Sequence, residues 1–156
     1  LEFRRVLFRS RNEMIAAGWC RRLVNNRADR VKRLFKWAPS AKSGRGVFVL
    51  RSFAAGEDIE VAPVIVVPER DWPGASSTVL DNYCYAWGDE LQHAAFALGC
   101  ASFYNHADDA VAAFTRDRAG RLLRFTARRA IPAGSEITID YRSSYGEWFP
   151  LSFDAR

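Results

Sequence analysis

The chain of 156 residues has no apolar run approaching the roughly 20 residues that a membrane-spanning helix requires. Its strongest run, residues 59–67, is interrupted by Pro63 and closed by Pro68. No membrane association is expected, and the expected location is cytoplasmic. Cysteine is sparse: Cys20, Cys84 and Cys100 form no CxxC pair and are odd in number. This pattern speaks for free thiols in a reducing compartment rather than a disulfide framework. With only His93 and His106 as histidines, a structural zinc site lacks ligands, and no metal is expected.

The body of the chain also lacks positive charge. The formal net charge is +5, yet residues 1–37 hold eleven of the 23 Lys/Arg against three acids. Residues 38–156 are net negative by three. An acidic body suits a basic partner and argues against a phosphate backbone, so no nucleic acid is expected. The opening residues 1–10, LEFRRVLFRS, resemble a common sequencing-library adapter translated in frame and are set aside from fold reasoning. In residues 11–32, Ile15, Trp19 and Leu23 recur every four positions. That spacing fits a short basic amphipathic helix, or upstream sequence translated but not made.

What is present is a composition able to build a core, 49% apolar and 13% aromatic. From Gly44 onward the punctuation is that of short strands. GVFVLRSF (46–53), the turn at 54–57 and IEVAPVIVV (59–67) read as strand, turn and strand. Residues 69–81, with Pro73, Gly74 and a Ser/Thr cluster, read as loop, and YCYAW (83–87) as a strand. Residues 111–117 and 121–131 flank RAG (118–120) as a hairpin, in which Leu123, Phe125 and Ala127 alternate with Arg124, Thr126 and Arg128. ITIDY (137–141) gives a last strand before an aromatic tail. The expected class is mostly β, in short strands with little helix.

The segment NHADD (105–109) admits three readings: metal ligands, an acid/base centre or a polar turn. Ligand counting disfavours the first, and a turn whose Asn and Asp bond their own backbone is the plainest.

Three segments in order then narrow the choice: SGRGVFVLRSFAAGEDIE (43–60), FYNHADDA (103–110) and GSEITIDY (134–141). Together they resemble the SET domain of protein-lysine methyltransferases, over about 33–145, with 146–156 as an aromatic C-terminal segment. The resemblance implies small sheets of short strands, with the NH and DY segments packed through each other as a C-terminal pseudoknot. It also implies S-adenosylmethionine as methyl donor and a lysine-containing basic protein or peptide as substrate, entering an aromatic channel. By this resemblance Gly44, Arg45 and Gly46 approach the donor's methionine part, Asn105 engages its amino-acid end, and His106 presents backbone groups to its adenine. Tyr141 is implied as the catalytic tyrosine. Trp148 is implied as an adenine cover, and Tyr85, Tyr145 and Phe149 as channel walls.

Where family members continue NH toward Pro-Asn, this chain has Ala110-Val111. Valine offers no side-chain hydrogen bond to brace the threaded segment. The alternative function is a degenerate SET fold that binds protein or cofactor without turnover. Homodimerisation to complete a substrate groove is left open.

Overall fold

The structure, a computed structural model, describes residues 34–88 and 90–145, with the side chains of residues 144 and 145 outside the description. The basic segment 11–32, Trp148 and Phe149 fall outside the described residues.

Nine strands are described. β1 (Phe35–Pro39) pairs antiparallel with β2 (Arg45–Val49). A five-stranded sheet has the order β4-β5-β3-β8-β7, built from β3 (Asp58–Val67), β4 (Cys84–Trp87), β5 (His93–Ala97), β7 (Ala112–Asp117) and β8 (Leu122–Ala127). β6 (Asn105–His106) and β9 (Thr138–Ile139) form a two-stranded parallel pair. This mostly-β architecture of small sheets is the one the sequence leads one to expect.

The long strand β3 serves two ladders in turn. Asp58–Pro63 pairs with β8 and Val64–Val67 with β5. Pro63 stands at the hand-over, where its missing N–H interrupts neither ladder and its carbonyl still accepts from Leu98 N at 2.8 Å. The 111–131 hairpin forms as anticipated, with Leu123, Phe125 and Ala127 buried and Arg124 exposed. The two edges of the sheet turn toward each other: Arg116 Nε donates to Ala86 O at 2.8 Å and Arg118 Nη2 to Gly88 O at 3.0 Å. Under that seam, Tyr85 packs edge-on against Phe114 and Phe125, with centroids at 5.2 and 5.9 Å.

Residues 69–81 differ from the loop expectation. They hold a 3-10 turn at Glu69–Asp71, a short helix α1 (Trp72–Ser76) and the start of a 3-10 turn at Val79–Tyr83. The residues that signal loop also start helices. Pro73 occupies the first turn of α1, and the Thr78 hydroxyl accepts from Leu80 N at 3.2 Å.

Val111 is braced through its backbone instead of a side chain. Its N–H donates to Thr138 Oγ1 at 3.3 Å and its carbonyl accepts from Arg128 N at 2.8 Å. Thr138, 3% exposed on β9, thus supplies the polar group that position 111 lacks. Thr138→Val keeps the shape but strands the Val111 N–H, and should cost about 1–3 kcal/mol in urea unfolding.

Candidate functional site

The pairing of β6 with β9 sets Asn105 opposite Thr138 and His106 opposite Ile139, and Ala107 N extends it to Ile139 O at 3.1 Å. A parallel contact between these two segments is what a pseudoknot of the NH and DY motifs requires. Tyr141 and Asp140 follow β9 directly, and helix α2 (Arg142–Tyr145) comes next.

The third motif reaches the same place through β2. Ile137 N donates to Val47 O at 2.8 Å and Val49 N to Ser135 O at 2.9 Å, around a bridge between Phe48 and Glu136. Glu136, which the sequence reading did not single out, lies over the glycine loop. Its Oε2 accepts from Ser40 Oγ at 2.9 Å and its Oε1 from Asn105 Nδ2 at 2.7 Å. A Cβ at buried Gly46 would stand 2.1 Å from Oε1, which explains glycine there. Gly44 has φ +48°, in the left-handed region, with nothing within 4 Å of where a Cβ would project.

Asn105 Nδ2 also lies 3.2 Å from Ser43 O and 3.3 Å from Arg45 O. Two carbonyls and a carboxylate therefore converge on one point beside the glycine loop. The Asn105 amide occupies that point, and its acceptors are of the kind an ammonium group also requires. Gly44, Arg45 and Gly46, expected at the donor's methionine part, and Asn105, expected at its amino-acid end, are thus brought together, and their acceptors fit an ammonium group in chemistry.

His106 holds the strand and Tyr141 together. Its Nδ1 accepts from Tyr141 N at 3.2 Å, leaving Nε2 to face Asp108 Oδ1 at 3.3 Å, and its side chain is 7% exposed. Asp108 and Asp109 are exposed, as expected of turn residues, but each is also paired. Arg142 Nη2 donates to Asp108 Oδ1 at 2.6 Å, and Arg129 donates to both carboxylate oxygens of Asp109 at 2.6 and 2.8 Å. Among the described residues no group of three or more His, Cys, Asp or Glu could hold a metal ion.

The Tyr141 hydroxyl donates to Tyr104 O at 2.8 Å. Burial, then the neighbouring Tyr83 and Glu136, push its pKa up to about 12. Of the aromatics expected on a channel wall, Tyr145 closes α2, four residues after Tyr141. Tyr85 is placed in the core, 5% exposed, with its hydroxyl donated to Ala101 O at 2.7 Å. The ring that stands near Tyr141 from this part of the chain is Tyr83, two residues earlier, 36% exposed and edge-on to Phe103 at 5.7 Å. The strand begins only at Cys84, so Tyr83 belongs to the preceding 3-10 turn. The aromatic run YCYAW carries no signal that divides it there.

An acceptor-rich glycine loop beside a half-buried phenol, on small β-sheets joined by the β6–β9 pair, is the arrangement of a SET-type fold. The SET domain family model matches residues 44–142. The chain is 31% identical over 111 residues to the Schizosaccharomyces pombe histone-lysine N-methyltransferase, H3 lysine-37 specific, covering 69% of this chain and 71% of that protein. A solved structure of a Plasmodium falciparum "putative histone methyltransferase" shares the fold with TM-score 0.53 at 22% identity, over 70% of this chain and 93% of that one. The chain belongs to the SET domain family. No described helix is long and apolar enough to cross a membrane.

Two predictions follow from the geometry. Gly46→Ala must displace the Glu136 carboxylate from its bonds and should cost about 1–3 kcal/mol of stability. Adding Glu136→Ala should remove most of that penalty in a double-mutant cycle. For Tyr141, the folded pKa exceeds the ordinary 10.0, so the unfolded chain loses this proton first as pH rises. The stability linked to the protonated phenol is then complete below pH 10 and is lost as pH climbs to about 12. In an alkaline titration followed by tyrosinate absorbance, the difference between wild type and Tyr141→Phe should appear only near pH 12.

Proposed function

We propose that this chain is an S-adenosylmethionine-dependent protein-lysine N-methyltransferase. The observation that carries the proposal is that the acceptor set at Ser43, Arg45 and Glu136 and the half-buried, hydrogen-bonded phenol of Tyr141 are both reached from the β6–β9 pair. S-adenosylmethionine, when bound, supplies a methyl group activated on a positive sulfonium. Gly44, Arg45 and Gly46 would approach its methionine part and Asn105 would engage its amino-acid end, with the Glu136 carboxylate adding charge complementarity to an ammonium. Backbone groups at His106 would meet its adenine, and Trp148 would cover it.

The substrate amine must be neutral to attack, although a free lysine at pH 7 has only about one neutral amine in a few thousand. An aromatic, water-poor passage beside a positive centre disfavours the ammonium by desolvation and by like charge. Tyr141, Tyr83 and Tyr145, with Phe149 from the C-terminal segment, are the aromatic residues proposed to line it. Tyr141 remains protonated far into alkaline pH, so it orients the amine as a neutral phenol and does not serve as a base. Positioning of the nucleophile is the main contribution left to the side chains. The proposed substrate is a lysine in a basic protein segment, the class to which histone tails belong.

Calorimetry with S-adenosylmethionine and methyl transfer to mixed basic proteins test the proposal. Asn105→Ala should weaken donor binding about ten- to a hundredfold, through loss of a hydrogen bond within a charged set. Tyr141→Phe should lower kcat about a hundredfold while donor binding holds. Donor binding without transfer would replace the enzyme reading with that of a binding module.

A further inference from the structure

Glu60 is a half-buried carboxylate on β3, the central strand of the five-stranded sheet, that the proposed chemistry does not use. It follows a register shift in β3, between Asp58 and Glu60, which turns its side chain toward the segment leading into the NH motif. Its two oxygens take the two ends of one short turn, Ala101–Phe103. Oε1 accepts from Cys100 N, before the turn, at 2.9 Å, and Oε2 accepts from Tyr104 Oη, after it, at 2.6 Å. A Cβ at Gly99 would stand 2.2 Å from Oε1, so the chain is shaped to admit the carboxylate. Tyr104 is 1% exposed and packs edge-on against Phe125 at 5.3 Å. Its carbonyl, at the same end of the turn, is the acceptor for the Tyr141 hydroxyl.

A carboxyl group in this position is costly to keep ionised. Burial raises the pKa of Glu60, while the Tyr104 and Cys100 hydrogen bonds pull it back down. An apolar residue would fill the space without that cost but could not tie both ends of the turn. We propose that Glu60 is a positioning residue for Tyr141, clamping the Cys100–Tyr104 turn so that the Tyr104 carbonyl holds the phenol in its working orientation. The kinetic part of this proposal rests on Tyr141 being the catalytic tyrosine. The link from Glu60 to the Tyr141 hydroxyl does not.

The test therefore reads both. Ring resonances of isotope-labelled tyrosine, with the Tyr141 signal assigned by its loss in Tyr141→Phe, report the phenol's hydrogen bond without any need for turnover. Glu60→Gln should shift the Tyr141 signal and lower kcat about tenfold with KM for the peptide nearly unchanged, whereas Glu69→Gln at an exposed position should do neither. Tyr104→Phe, which keeps the ring and removes only the hydroxyl, should act in the same direction and serves if Glu60→Gln does not fold. In the Tyr141→Phe background, Glu60→Gln should add little further loss. An unmoved Tyr141 signal in Glu60→Gln and Tyr104→Phe overturns the proposal, as does a kcat loss fully additive with Tyr141→Phe. If wild type transfers no methyl group, the methyltransferase reading falls, and the resonance shift alone decides whether Glu60 positions the phenol.

Discussion

The site depends on one short contact, the parallel pairing of β6 with β9. Each strand has two residues, and the partners are separated by more than 30 positions in sequence. A ladder this short contributes few backbone bonds, and bringing its strands together carries the entropy of closing the intervening loop. Side chains that bind at the same place support it: His106 accepts from the Tyr141 backbone, Thr138 accepts from Val111, and Asn105 donates to Glu136. The residues named for function are thus largely the residues that hold the crossing together. Their loss would disturb structure and chemistry at once.

The same economy appears in the charges. Glu136 and Glu60 are both carboxylates used as two-ended acceptors, one joining Ser40 to Asn105 and the other joining Cys100 to Tyr104. Each ties its own segment to one at least 30 residues away in sequence. Each also sits against a glycine where a Cβ would collide with it, Gly46 in one case and Gly99 in the other. A carboxylate can accept from two directions at once, which an amide oxygen or a hydroxyl does less well. That property suits a fold of short strands, whose own ladders are too small to fix the angles between sheets.

Much of the fold was legible in the sequence because its elements carry strong local signals. The alternation of Leu123, Phe125 and Ala127 with Arg124 and Thr126 set the faces of β8, and Arg-Ala-Gly set the turn before it. The three ordered motifs placed Asn105, Gly46 and Tyr141 together, as the structure does. The Tyr83–Tyr85 distinction was not legible, because residues two apart share a face in a continuous strand, and only the end of the 3-10 turn at Tyr83 separates the two rings. Nor were Glu60 and Glu136, since a strand-borne glutamate ordinarily signals an exposed face, and only the tertiary fold shows what each carboxylate bridges.

Val111 departs from the family pattern, and the structure shows how the threaded segment is braced without a polar side chain at that position. Its side chain lacks the hydrogen-bonding groups expected there. Yet bracing a threaded segment requires only that its polar backbone groups find partners, from whichever strand can reach them. Here Thr138 reaches Val111 N from β9 and the Arg128 backbone meets the Val111 carbonyl, so both sides of the crossing are satisfied while the valine side chain makes no polar demand. The determinant of this crossing is therefore the pair 111 and 138 taken together. The polar group that braces this segment stands on β9 and not at position 111, so the two positions have to be read together.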